Sequence, residues 1–390
     1  MRGDPRPSET DWSTRLERTV QLAGGDVTTL TLGQPMDGAF DRLYAAFFEK
    51  EVRSVDDEFR AATFQYFDRY INDVNAPAAH DHYFICFTPI WNAFMSSRRL
   101  DVAERVWELA FEPVQQWERA HPGELIDKGT LFYFWGSTTL LRGNLDRGYL
   151  LIHQSVEEDS RTSGEQIPLT PSYAVVSLDY EKPDQAFQFW PVEQASFLEV
   201  FVHDYVTTYH RPLTIDDVKR KFLNKPPNYD AIFQLTFTLA RLHGISGLPD
   251  QAKRNLFAGQ IEMNLLFDLL LVIEVAIRHA NPVKKDKTYF SEQAKFLLQS
   301  AGHPLHQRDF DGVHAQFDAN FGAAIRDALD GTLKSKWVTL DPLQSDVHLA
   351  YELRNHGAHQ IETVPIIWED FDRVQRAVFR CLCATIDFLY

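Results

Sequence analysis

Only three cysteines, Cys86, Cys381 and Cys383, occur in 390 residues, and no paired spacing links them. This excludes a disulfide-stapled scaffold and fits a reducing compartment, with Cys381 and Cys383 in an apolar helical pattern that would bury their thiols. A glycine-rich phosphate loop is also missing, because Gly244, Gly247 and Gly259 are not followed by the Lys-Ser/Thr pair that ATP or GTP hydrolysis on such a loop needs. The Gly-x-Ser-x-Gly elbow of serine hydrolases is absent. Basic residues are scarce: 39 Lys+Arg stand against 55 Asp+Glu, a formal net charge of −16. A protein that coats nucleic acid non-specifically needs a broad basic surface, so that class is excluded. Long apolar runs are missing as well. Leu265 to Ile277 is the most hydrophobic stretch, but Asp268 and Glu274 interrupt it and it is too short for a bilayer core of about 30 Å. The stretch MRGDPRPSETDW lacks the apolar centre of a signal peptide, so the expectation is a cytoplasmic protein with no membrane partner.

What is present is the composition of a folded globular protein, 44% hydrophobic and 13% aromatic. The length calls for two or more domains. The acidity is uneven: residues 1–250 carry 24 Lys+Arg against 37 Asp+Glu, whereas residues 251–390 carry 15 against 18. The C-terminal part can therefore approach RNA at lower electrostatic cost. Apolar residues recur at spacings of three and four, as at Leu43 and Phe47 and then at Phe59, Thr63, Tyr66 and Tyr70, and strand patterns are scarce. The chain is expected to be all-α.

A faint repeat at a shift of 45 aligns Leu100-Asp101 with Leu145-Asp146. Each copy predicts a helix-turn-helix, the first turning at Ser97-Arg98-Arg99 and the second at Arg142-Gly143-Asn144. The spacing resembles tetratricopeptide-like pairs that stack into a solenoid; an ordinary helical bundle with similar turns is the alternative. Residues 160–185 are polar and contain prolines, which predicts a loop insertion with one short strand at Ala174 to Leu178. The stop signal His243-Gly244-Ile245-Ser246-Gly247-Leu248-Pro249 suggests a boundary near 250. The expected organisation is an N-terminal extension (1–40), a helical-repeat domain (41–250) and a helical bundle (251–390). In the bundle, Ala252 to His279 predicts one long helix whose apolar face carries Phe257, Ile261, Leu265, Leu269, Val272, Ile273 and Ala276. A stretch between Asn281 and Asp341 looks like an insertion. Helices over about Ser345 to Asn355 and Glu369 to Phe388 close the chain.

At the end of the penultimate helix stands Arg354-Asn355-His356-Gly357-Ala358-His359. Cleavage of a phosphodiester by the neighbouring 2′-hydroxyl requires a group that moves a proton and a cation that holds the charge developing on phosphorus. Histidine suits the first task, with its ordinary pKa of about 6.5. Arginine suits the second, because its planar fork grips phosphate oxygens and keeps its charge. Arg354 and His359 are about 140° apart on an unbroken helix, so Gly357 is expected to loosen the last turn and let His359 swing towards Arg354. Asn355, four residues before His359, is placed to orient its ring. His356 ranks below His359 as a second polar residue of the turn.

The motif resembles that of the HEPN superfamily, whose ribonuclease members carry Arg, often Asn, then four to six residues and His near the last long helical pair. The match is Arg354, Asn355 and His359, preceded by Leu349-Ala350-Tyr351-Glu352-Leu353. The resemblance covers roughly residues 250–390. It implies a HEPN-like bundle, RNA as substrate, no metal or other cofactor, and a homodimer whose two copies of Arg354 and His359 form one composite site. It also implies a role in phage defence, toxin–antitoxin control or stress, with the N-terminal array open to a protein or nucleotide regulator. Some branches of the family carry Glu-x-x-x-Lys/Arg on the helix facing the motif; here Glu274 and Arg278 occupy that pattern, and their plainer role is an i,i+4 surface salt bridge. A tyrosine that some toxin members carry two residues after the histidine is replaced by Ile361. The histidine clusters at His80-Asp81-His82, at His203, Asp204 and His210, and at His303 and His306 lack zinc-site spacing. Lys284-Lys285-Asp286-Lys287 suits a solvated loop better than an RNA contact. The competing expectation is a non-catalytic scaffold or RNA-binding module that dimerises through its C-terminal domain.

Overall fold

The computed structural model describes residues 16–21, 27–32, 55–74, 82–85, 87–96, 98–179, 187–249, 256–281, 289–335, 338–359 and 365–390. The basic run at 284–287, His80, Asp81, Cys86 and Ile361 lie outside them. The described chain is predominantly helical, as the recurring three-and-four spacing requires. Its strands are β1 (Leu16–Gln21) and β2 (Val27–Leu32), which pair antiparallel within the expected N-terminal extension, and the two-residue pair β3 (Lys334–Ser335) and β4 (Val338–Thr339). Among the described residues, no helix is long and apolar enough to cross a membrane.

The chain divides into two compact units, 1–172 and 173–390. The first unit holds α1 (Val55–Val74), α2 (His82–Ile85), α3 (Thr88–Ser96), α4 (Leu100–Ala120), α5 (Gly129–Leu141) and α6 (Leu145–Ser163). Helices α3 to α6 pack in succession. Both expected turns are present, with Arg98 and Gly143 in the left-handed region at φ 58° and 82°. Asn144 caps α6 by accepting from the Arg147 amide at 3.2 Å. The core is aromatic: Tyr66, Tyr83, Phe87, Trp91 and Trp107 are buried, and Trp91 Nε1 donates to Thr138 Oγ1 at 2.6 Å. Helices α5 and α6 approach so closely that a Cβ on Gly148 would lie 2.6 Å from Leu140 Cδ2 and 3.0 Å from its backbone nitrogen. Overpacking of this kind destabilises by about 1–3 kcal/mol. Gly148→Ala should accordingly lower the denaturation midpoint of this unit, and an unchanged midpoint in a denaturant titration would contradict the close packing.

The predicted strand at Ala174 to Leu178 is not a strand. Residues Pro171–Val176 form a helix, α7, preceded by a 3-10 segment at Gly164–Leu169, so the described part of the stretch expected to be a loop is largely helical. Tyr173, Ala174, Val175 and Val176 are all buried, and a short run buried on every side shows neither helical nor strand periodicity.

The second unit contains α8 (Phe189–Tyr209), α9 (Ile215–Val218), α10 (Tyr229–Ser246), α11 (Leu256–Ala280), α12 (Phe290–Ser300), α13 (Gln307–Ala319), α14 (Phe321–Leu329), α15 (Pro342–His359), α16 (Pro365–Glu369) and α17 (Phe371–Leu389). The division at 172/173 departs from the boundary expected near 250. Helices α8 and α10 share one hydrophobic core with α11 to α17. Phe201 stacks on Phe379 with ring centroids 3.9 Å apart, and Tyr205 Oη donates to Asp387 at 2.9 Å. The signal at 243–249 ends α10 and does not end the core. The described part of the 281–341 stretch is likewise integral, because Leu297, Val313 and Ile325 from α12, α13 and α14 are fully buried in this core.

Long helix α11 is the centre of the unit, packing against α10, α15, α16 and α17. Leu265, Leu269, Val272, Ile273 and Ala276 are buried along it as expected, whereas Phe257 at its start is 70% exposed. Helix α15 packs on α11, α12, α14 and α17. This seats the motif against Glu274 on one side and α13 and α14 on another.

Candidate functional site

Arg354, Asn355 and His356 lie in the last turns of α15, and His359 is its final residue. The expected loosening at Gly357 does not occur: the α-helix runs through it to His359. Glycine permits such a departure without requiring it, and the i→i−4 bonds of the helix are retained. Arg354 and His359 therefore keep a separation of about 140° around one helix. The His359 side chain lies outside the described residues. By register His359 follows Asn355 by four places and His356 by three.

On the side facing α11, the Arg354 Nε donates to Glu274 Oε2 at 3.0 Å. Arg278 donates to the other oxygen, Oε1, at 2.7 Å. Glu274 is buried and both arginines are partly open, Arg354 at 27% and Arg278 at 40% exposure. Glu274 and Arg278 thus do more than the i,i+4 pair of a solvated face. One buried carboxylate gathers two guanidinium groups, Arg278 and Arg354, from positions 76 residues apart (354 − 278), leaving other N–H donors of each fork for a further anion.

On the adjoining side, Asn355 and His356 line a cleft of about 510 Å³ together with His314, Asp318, Tyr351 and Glu352. The His356 ring stacks on Phe321 at 4.1 Å. The Tyr351 phenol has its pKa raised by burial, against the opposing effect of Asn355. His314 Nδ1 lies 2.9 and 3.0 Å from the two carboxylate oxygens of Glu352, and its Nε2 is 3.6 Å from Asp318. Burial pushes the Glu352 carboxyl up to about 7, against the opposing effect of His314. Beneath them His348 is fully buried, with neither ring nitrogen hydrogen-bonded to a described residue, and its ring is tilted against Phe310 with centroids 4.2 Å apart. Burial drives its pKa down to about 3, so its ring is neutral.

Comparison of the chain with protein-family models, curated proteins and solved structures finds no match.

The structure thus brings Arg354, Glu274 and Arg278 together, and Asn355 with His356, while placing these two groups on neighbouring sides of α15. His314 and Glu352 escaped the sequence reading. In the sequence Glu352 shows only as part of the helix before the motif, and His314 lies in the stretch that looks like an insertion. Thirty-eight residues separate the two, and nothing in their local spacing pairs them. Of the histidine clusters set aside, His303 pairs with Asp341 at 2.9 Å on the surface.

Proposed function

We propose that the chain is a metal-independent endoribonuclease of the HEPN type, in which Arg354 and Arg278 hold the scissile phosphate and His359 moves a proton during attack by the 2′-hydroxyl. The observation that carries this is the bifurcated contact of Glu274 with Arg354 and Arg278, because a buried carboxylate that fixes two partly exposed arginine forks builds a receptor for an oxyanion. The unbroken helix supports a composite site. With Arg354 and His359 about 140° apart, one chain does not turn both towards one phosphate, whereas two copies of α15 meeting across a two-fold axis supply the arginine from one protomer and the histidine from its partner. In this proposal the helical hairpins α3 to α6 are a tetratricopeptide-like element that receives a regulator, as restraint of a defence or toxin nuclease requires.

Incubation of the purified protein with RNA in EDTA tests the activity. The expected products carry 2′,3′-cyclic phosphate and 5′-hydroxyl ends. Intact RNA under every condition of regulator, pH and concentration would instead favour a non-catalytic scaffold that dimerises through residues 173–390.

The role of Glu274 has its own test. Glu274→Gln removes the charge that orients both forks and keeps the side-chain volume. Misplacement of a catalytic group by about 1 Å can reduce rate about 10²-fold, and a loss of that order in kcat is expected for this variant. Full activity of Glu274→Gln would show that the contact is structural.

A further inference from the structure

We propose that His314, oriented by Glu352, is a second proton-transferring group of this ribonuclease site, taking the proton of the RNA 2′-hydroxyl in the cleft between α13 and α15. This rests on the ribonuclease proposal and adds to it a residue outside the Arg354–His359 motif.

Four observations converge on the assignment. His314 sits in an open cleft of about 510 Å³ large enough for a nucleotide sugar. Its Nδ1 faces both oxygens of a buried carboxylate, which fixes the tautomer with hydrogen on Nδ1 and leaves the lone pair of Nε2 on the cleft side. Two residues of the motif, Asn355 and His356, line the same cleft. Among the described residues the only charged contact of Nε2 is Asp318 at 3.6 Å, and that carboxylate is 70% exposed, so solvent screens it and the side chain can turn away.

Electrostatics assigns the substrate atom. Glu352 and Asp318 repel a phosphate from the cleft, but a neutral hydroxyl meets no such barrier. Arg354 is two places on from Glu352, about 160° round α15, so in the composite site the phosphate-holding arginines that meet this cleft belong to the other protomer. A ribose therefore lies with its 2′-hydroxyl towards His314 of one protomer and its 3′-phosphate towards the arginines of the other.

In the step itself, Nε2 of neutral His314 accepts the 2′-hydroxyl proton as that oxygen forms a bond to phosphorus. The bond from phosphorus to the 5′-oxygen breaks, and its electron pair leaves on that oxygen, which takes a proton from protonated His359 of the composite site. The products are a 2′,3′-cyclic phosphate and a 5′-hydroxyl, with one proton accepted and one donated and no other reactant consumed. The Glu352 carboxylate stabilises the imidazolium that forms on His314.

Among the described residues, the groups facing Glu352 and His314 are Asp318 on α13 and His348, Tyr351 and His356 on α15. Because burial holds the Glu352 carboxyl up at about 7, the couple has its accepting form above that pH and loses it below, as a proton on Glu352 displaces the one on Nδ1.

The experiment is a kcat–pH profile on a short RNA in EDTA. For the wild type, kcat should rise through about pH 7, and Glu352→Gln should lose that limb. General-base catalysis supplies about 10²–10⁴-fold, so His314→Ala should lower kcat by about 10²-fold with KM little changed, and added imidazole should restore part of the rate. His314→Gln, which keeps a hydrogen-bonding side chain beside Glu352, should be as inactive, separating chemistry from folding. Wild-type rates in His314→Ala beside an inactive His359→Ala would overturn this inference and leave the ribonuclease standing. So would a Glu352→Gln variant that keeps the wild-type limb near pH 7. A wild-type protein that cuts no RNA would overturn both.

Discussion

Replacing His359 by alanine should abolish metal-independent RNA cleavage, lowering kcat by about 10²–10⁴-fold, the contribution of a positioned proton-transfer group. Arg354→Ala should be of comparable severity, because a preorganised donor aimed at developing charge is worth about 10²–10³-fold. Arg354→Lys should not rescue it. A lysine is a point charge and cannot hold Glu274 through one edge while offering a second edge to phosphate, as the fork of Arg354 can. The composite arrangement adds a sharper test. If Arg354 and His359 serve one site from two protomers, mixing the two inactive alanine variants under subunit exchange should regenerate activity in the heterodimer. Mixed samples as inactive as the parents would show that both groups work within one chain. The assay is product-end analysis in EDTA, so that a contaminating metal-dependent nuclease does not contribute.

The second large effect concerns stability. Asp346 on α15 is buried and accepts two hydrogen bonds from Arg380 on α17, at 2.6 and 3.0 Å. Tyr209 donates to the same carboxylate, and Arg380 reaches Asp204 on α8 at 2.9 Å. Burial pushes the Asp346 carboxyl up and the Arg380 contacts oppose that shift. Removing one member leaves the other buried charge uncompensated, which costs about 3–5 kcal/mol in comparable cases. Arg380→Ala should therefore lower the denaturation midpoint strongly, whereas the double replacement Asp346→Asn with Arg380→Met should recover most of the loss. Equal destabilisation by the single and double variants would show that shape, not charge pairing, holds α8, α15 and α17 together. This network stands apart from the cleft and the arginine pair, so Arg380 variants that remain folded should keep their cleavage chemistry.

Much of the helical pattern was legible in the chain itself. The turns at Arg98 and Gly143, the end of α10 before Pro249, and the buried stripe Val374, Val378, Cys381 and Thr385 on α17 all follow from local rules of periodicity and helix termination. The Arg354–His359 motif was legible for the same reason, since its six residues are contiguous. Local rules failed where burial is complete or where a boundary depends on packing. Tyr173 to Val176 carries no period because every side chain is inside, and the stop after α10 says nothing about which core that helix joins.

The sequence alone determined a mostly helical chain, acidic chiefly before residue 250, with an arginine and a histidine poised near the end of its penultimate long helix. Tertiary structure decided that Glu274 grips Arg354 across 80 residues and that His314 meets Glu352 across 38. It also decided that Gly357 stays helical and that α8 and α10 belong to the same core as α11 to α17. Helix formation depends on neighbours three and four places away, which a sequence displays directly. The pairing of buried charges depends on which apolar faces cover one another, and that is fixed only when the whole core closes.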